Sequence, residues 1–106
     1  MARRVELEPN AYRDMREHAA FITRLVSACA ALRWNARLAT ALKQLADQAE
    51  LWPLAEDPGL EDLDMRVAAM GRRPRVYRVL YDFDDERTVV HRIRHAAQGY
   101  LAGDDL

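Results

Sequence analysis

The residues of this chain best suited to chemistry are arginines that fall on predicted strands: Arg66, Arg75, Arg78, Arg92 and Arg94. A guanidinium stays charged and makes two parallel hydrogen bonds to a carboxylate or phosphate, so several converging on an open sheet suit an anionic partner. That partner is either a nucleic acid or an acidic protein; solvated arginines pairing with the chain's many carboxylates are the plainer reading. Tyr77 and Tyr81 alternate along the same strand. They read as packing residues, although a phenol beside arginine also orients phosphate or stacks on a base.

Other chemistries find little support. His18, His91 and His95 lack the spacing of a metal site, so neither a metal nor any other cofactor is expected. His18 reads as a helix-surface residue, and His95 draws interest because it ends a strand beside Arg94. The sequence has no glycine-rich phosphate loop, no serine in a nucleophile elbow and no carboxylate pair set up for acid–base work. Asp82, Asp84, Asp85 and Glu86 belong to a turn, where solvation explains them. The single cysteine, Cys29, lies in an alanine-rich stretch and reads as a small packing residue. One cysteine and no signal core after Met-Ala-Arg-Arg make reducing cytoplasm the expected compartment.

The elements that must position these residues follow from periodicity. Val5 and Leu7 alternate with charges over residues 4–8, the pattern of a half-buried strand that Pro9 ends. Asn10 is the expected cap of a helix whose stripe runs through Tyr12, Met15, Ala19, Ile22 and Val26. Ser27 is the expected cap of a second helix with Trp34, Leu38, Ala41, Leu45, Ala49 and Trp52 on one face, stopped by Pro53; no Gly or Pro separates it from the first, so a single bent helix is the alternative. Residues 54–62 contain Pro58-Gly59 and several acids and predict an exposed loop. Met65 to Met70, Arg75 to Phe83 and Thr88 to His95 then predict three antiparallel strands, followed by a short terminal turn or tail.

The chain of 106 residues predicts a single α+β domain over 1–106, in the order β-α-α-β-β-β. Its helical hairpin packs on one face of a small, mainly antiparallel sheet and leaves the other face open. In the last strand Val89 and Ile93 are assigned to the core, which sends Arg92 and Arg94 into the open concavity with Arg66 and Arg78. Net charge is −1, but Arg66, Arg72, Arg73, Arg75 and Arg78 form a basic run just after the acidic residues 56–64. A local basic stripe therefore sits within a nearly neutral total. No apolar stretch reaches the ~20 residues that span a bilayer, so no membrane role is expected.

The element order, with Tyr77-Arg-Val-Leu-Tyr81 and Ile93-Arg-His95, resembles the RelE/ParE superfamily of type II toxin–antitoxin toxins over about residues 4–99. Val5-Glu-Leu, Ala11 with Asp14, and Ala31-Leu-Arg-Trp34 extend the resemblance into the first half. The resemblance implies a plasmid-stabilisation type of toxin that inhibits growth and is neutralised by a cognate antitoxin covering its sheet and helices. RelE-like members cleave mRNA on the ribosome as mRNA interferases; ParE-like members inhibit DNA gyrase. For the nuclease, the match places Arg78 and Arg66 as the catalytic phosphate-stabilising arginines. Arg75, Tyr77, Arg92, Arg94 and His95 are the residues expected to bind the target. The basic residue that nucleases carry three positions beyond His95 is here Gln98, and Tyr100 falls at the wrong spacing for their terminal aromatic. These departures, with the near-neutral charge, favour the ParE-like branch. A non-toxic protein-interaction module with the same topology is the alternative from another class.

Overall fold

The computed structural model describes residues 2–99. Six principal elements follow one another: strand β1 (Arg4–Leu7), helices α1 (Pro9–Leu25) and α2 (Ala28–Gln48), then strands β2 (Arg66–Arg72), β3 (Arg75–Phe83) and β4 (Arg87–His95). The sheet order is β1-β4-β3-β2, with β1 parallel to β4 and the remaining pairs antiparallel. This is the expected α+β arrangement of two helices on a small mixed sheet. The predicted terminal turn begins as a single 3-10 turn at Ala96–Gln98; Tyr100 and the acidic tail lie outside the described residues.

Local chemistry explains the helix ends. Helix α1 starts one residue before the predicted Asn10 cap, because Pro9 takes the first helical position, where its missing N–H costs nothing. The two helices are separate: Val26 and Ser27 both donate to the Ile22 carbonyl, and the Ser27 hydroxyl accepts from Ala30 N–H at 3.0 Å to open α2. Helix α2 ends at Gln48 and tightens into a 3-10 turn at Ala49–Leu51 before Pro53.

The main core lies between the helices and one sheet face, where Trp34, Leu38 and Leu45 meet Tyr77, Val79, Tyr81, Val90 and Ile93. Burying side chains of this size stabilises the fold by about 1.5–3 kcal/mol each before entropy is subtracted. Tyr81 is fully buried and donates its hydroxyl to the Ala49 carbonyl at 2.5 Å, so burial pushes its pKa up to about 12. Tyr12 and Val26, predicted within the apolar stripe of α1, are instead more than half exposed.

Three expectations are corrected. First, the register slips between Leu80 and Tyr81, which pair with Arg92 and Val90 and leave His91 as the extra residue of a bulge. One extra residue shifts the alternation, so Val90 and Ile93, not Val89 and Ile93, share the main core. Second, residues 54–65 are not a solvated loop. Ala55, Leu60 and Met65 are buried against Leu80 and Val67 on the sheet's second face, so that face is not open. The segment folds back because its apolar residues have a face to cover and Asp57 has a partner there, which its acidic composition obscures. Third, Cys29 is exposed on the first turn of α2, not packed.

Candidate protein-binding groove and the strand arginines

The arginines expected to converge in one concavity are held by separate partners. Arg78, on β3, makes a two-pronged ion pair with Asp57, whose side chain is fully buried; Nη1 donates to Oδ2 at 3.1 Å and Nη2 to Oδ1. Arg66, at the start of β2, donates Nη1 to the Trp52 carbonyl at 2.5 Å and to the Glu50 carbonyl at 3.3 Å. Its guanidinium also lies 5.5 Å from the Phe83 ring centre. Neither guanidinium faces the other across an open sheet.

Arg92 belongs to a third arrangement, at the sheet edge that β1 leaves uncovered. Strand β1 pairs only as far as Val90, so Ile93 has main-chain groups without a strand partner. Helix α1 supplies the partners. Asp14 accepts from the Ile93 N–H at 3.0 Å and from Arg92 Nε at 2.6 Å and Nη2 at 2.9 Å. One turn later, His18 Nε2 donates to the Ile93 carbonyl at 3.2 Å. The spacing i, i+4 puts both side chains on one helix face, where together they replace a missing strand. Burial lowers the His18 pKa from its ordinary value; Asp14, His95 and Glu17 are the charged or titratable groups that act on it, and the Tyr77 ring packs against it.

Arg94 and His95 close the strand. Gln98 folds back so that its side-chain oxygen accepts from the His95 N–H at 2.7 Å, while His95 Nδ1 accepts from Ala97 N–H at 3.0 Å. Arg94 Nη2 donates to the Gln98 carbonyl. Gln98, standing where the nuclease pattern has a cation, thus caps a turn.

A candidate binding surface lies elsewhere, between the α1–α2 junction and the β2–β3 hairpin. It is a groove of about 560 Å³ whose lining includes Trp34, Met70 and Tyr77, with Phe21, Leu25 and Val26 at the helical end and Arg33, Arg37, Arg75 and His95 around it. Tyr77 is held edge-on between His18 and His95, with ring centres 5.0 and 5.1 Å away, and Trp34 lies 5.1 Å off. Burial raises the Tyr77 pKa, which keeps the phenol neutral. Phe21, Leu25 and Val26 are 50%, 67% and 56% exposed, more apolar surface than a helix tip needs for itself. Among the described residues Arg33, Arg37 and Arg75 form no ion pair. An apolar floor with an unpaired basic rim fits an amphipathic acidic polypeptide.

Of the predicted site residues, the structure therefore brings Arg75, Tyr77 and His95 together and sends Arg66, Arg78 and Arg92 to other partners. Sequence reasoning missed Asp57, Asp14, Arg33 and Arg37. A signal existed for Asp14, an acid four residues before His18 on an otherwise buried helix face.

Comparison with known proteins matches residues 5–100 to the family model described as ParE toxin of the type II toxin–antitoxin system parDE. The chain belongs to the ParE toxin family. Among solved structures, it superposes on a protein titled "Chromosomal ParDE TA system from P. aeruginosa" with a TM-score of 0.70 at 17% identity. The match covers 89% of this chain and 96% of that one, a likeness of fold. A search among curated proteins found no match. ParE membership makes this chain a toxin of a type II toxin–antitoxin system and accounts for the helical hairpin over a mixed sheet. No helix among the described residues is long and apolar enough to cross a membrane.

Proposed function

We propose that this ParE-family toxin arrests growth in the cytoplasm by binding DNA gyrase, without cutting mRNA, and that a cognate antitoxin neutralises it. The observation that carries the choice between the two activities is the engagement of Arg78 by buried Asp57. A phosphoryl-transfer site needs cations aimed at the charge that develops on the phosphate. Arg78 already spends its two-pronged face on a carboxylate of the same chain, and Arg66 is turned towards main-chain carbonyls. Gln98, bound to its own turn, adds no cation. Target contacts are assigned to Arg75, Arg94 and His95, with Tyr77, packed edge-on against His95, and Arg92, held by Asp14, as positioning residues.

The test is a map of new RNA 5′ ends in bacteria shortly after this chain is induced without its antitoxin. Growth arrest without new ends inside translated codons is the expected result. Arrest with such ends, lost in Arg78→Lys, would overturn the assignment in favour of the RelE-like reaction. Growth without arrest would favour a non-toxic interaction module.

A further inference from the structure

Strand β4 is closed by the residues that follow it. The His95 N–H lies beyond the last residue that β1 pairs and donates to the Gln98 side-chain oxygen at 2.7 Å, while the Ala97 N–H donates to His95 Nδ1 at 3.0 Å. Together the two bonds form a reciprocal capping box around the 3-10 turn Ala96–Gln98, which the chain leaves through Gly99 at φ +75°, a conformation that favours glycine. Gln98 also holds the neighbouring guanidinium, because its carbonyl accepts from Arg94 Nη2 at 3.3 Å. A main-chain N–H can only donate, so Nδ1 offers its lone pair and the ring proton sits on Nε2. Among the described residues Nε2 has no hydrogen-bond partner, and it is not sealed from solvent. Tyr77 packs edge-on against the ring at 5.1 Å and restrains its plane. Beside it, Arg94 belongs to no ion pair among the described residues.

We propose that Gln98 is a positioning residue for target binding: by closing this turn it fixes His95 as an Nε2–H donor and holds Arg94 beside it. The inference rests on the target contacts assigned above and goes beyond them, naming the atom that His95 offers and the residue that makes it available. A neutral donor next to a cation suits a carboxylate of the target protein, whose two oxygens take one bond from each. Without Gln98 the His95 N–H loses its acceptor and the turn opens. The Ala97 N–H then no longer holds Nδ1, and the ring proton is free to sit on either nitrogen. A lysine or arginine at position 98 has donors only and cannot accept from the His95 N–H. The closed turn and a cation side chain at this position therefore exclude one another, which gives Gln98 a use of its own where the nuclease pattern has a basic residue.

The test is nitrogen NMR of isotope-labelled histidine rings at neutral pH, with hydrogen exchange and gyrase supercoiling, on the unaltered chain and on Gln98→Ala, Gln98→Glu and His95→Asn. The His95 ring signals, assigned by their loss in His95→Asn, are expected to show a lone pair at Nδ1 and a proton at Nε2. Gln98→Ala is expected to mix the two tautomers, to lose amide protection at His95, and to raise the toxin concentration that half-inhibits supercoiling about three- to tenfold. Gln98→Glu keeps an acceptor in the same place and is expected to keep the single tautomer. His95→Asn keeps a side-chain acceptor for the Ala97 N–H but has no Nε2–H. It should therefore leave the turn's amide protection in place while weakening inhibition about tenfold. A proton on His95 Nδ1 in the unaltered chain, a single tautomer kept in Gln98→Ala, or full potency in Gln98→Ala or His95→Asn would each overturn the proposal. Should the unaltered chain arrest growth yet leave supercoiling untouched, the gyrase reading fails, and growth arrest by the same variants decides the positioning role. Weakened arrest by Gln98→Ala would then uphold it and undiminished arrest would overturn it.

Discussion

Arg78 and Asp57 show how the same residue reads differently once its partner is known. A guanidinium on a strand is a candidate phosphate ligand; the same guanidinium against a fully buried carboxylate holds a loop to the sheet. Removing either partner strands a buried charge, a loss of about 3–5 kcal/mol. Arg78→Ala and Asp57→Ala should each move the urea midpoint of unfolding downwards by a comparable amount, and the double variant should cost less than the sum. Loss of toxicity in Arg78→Ala would then report unfolding and not catalysis, which is why Arg78→Lys belongs in the RNA map. His18 provides the pH dependence. Its pKa is lowered in the folded chain because the ring is buried, so the unfolded state takes up a proton first as pH falls below the ordinary value of 6.5. The stability it contributes is complete above that value and declines as pH falls towards the lowered one. The melting temperature should fall between pH 7.5 and pH 5.5, and His18→Gln should lessen that fall; an equal fall in both chains would contradict the assignment. None of this was legible beforehand, since Asp57 sits in an acidic run that looks solvated and His18 sits on a helix that looks half exposed.

At the scale of elements, the periodic signals were sufficient and the irregular ones were not. The two helices, the Ser27 cap and all four strands stand where spacing and turn residues put them, because a 3.6-residue or two-residue apolar period survives in the sequence. The bulge at His91 left no such trace: Val89-Val90 offers two apolar choices, and only the pairing with β3 decides between them. The fold-back of residues 54–65 was equally hidden, because its few apolar residues are scattered among acids. One glycine carries a sharper expectation. Gly71 has φ +95°, and a Cβ there would run into the Arg75 carbonyl oxygen across the β2–β3 hairpin. Gly71→Ala should destabilise the fold by about 1–3 kcal/mol, as backbone strain at such a position predicts, and should disturb the groove's hairpin wall. A thermal melt unchanged by that substitution would contradict the account.

For the whole molecule, net charge says little and charge placement says much. The chain is close to neutral, yet Arg33, Arg37 and Arg75 gather around one apolar groove. A ribosome-docking nuclease would draw its affinity from many phosphate contacts and offer free cations at its catalytic centre; here the matching arginines are consumed internally. Family membership was legible from the strand motifs and element order together, whereas the candidate groove emerged only from the tertiary placement of residues far apart in sequence. The central claim is that the toxin acts on gyrase. The most direct measurement is ATP-dependent supercoiling of relaxed plasmid by purified gyrase, with increasing amounts of this chain and then of its antitoxin. The account predicts supercoiling lost as toxin is added and restored by antitoxin. Full supercoiling at every toxin concentration, using protein that arrests growth when expressed, would contradict it.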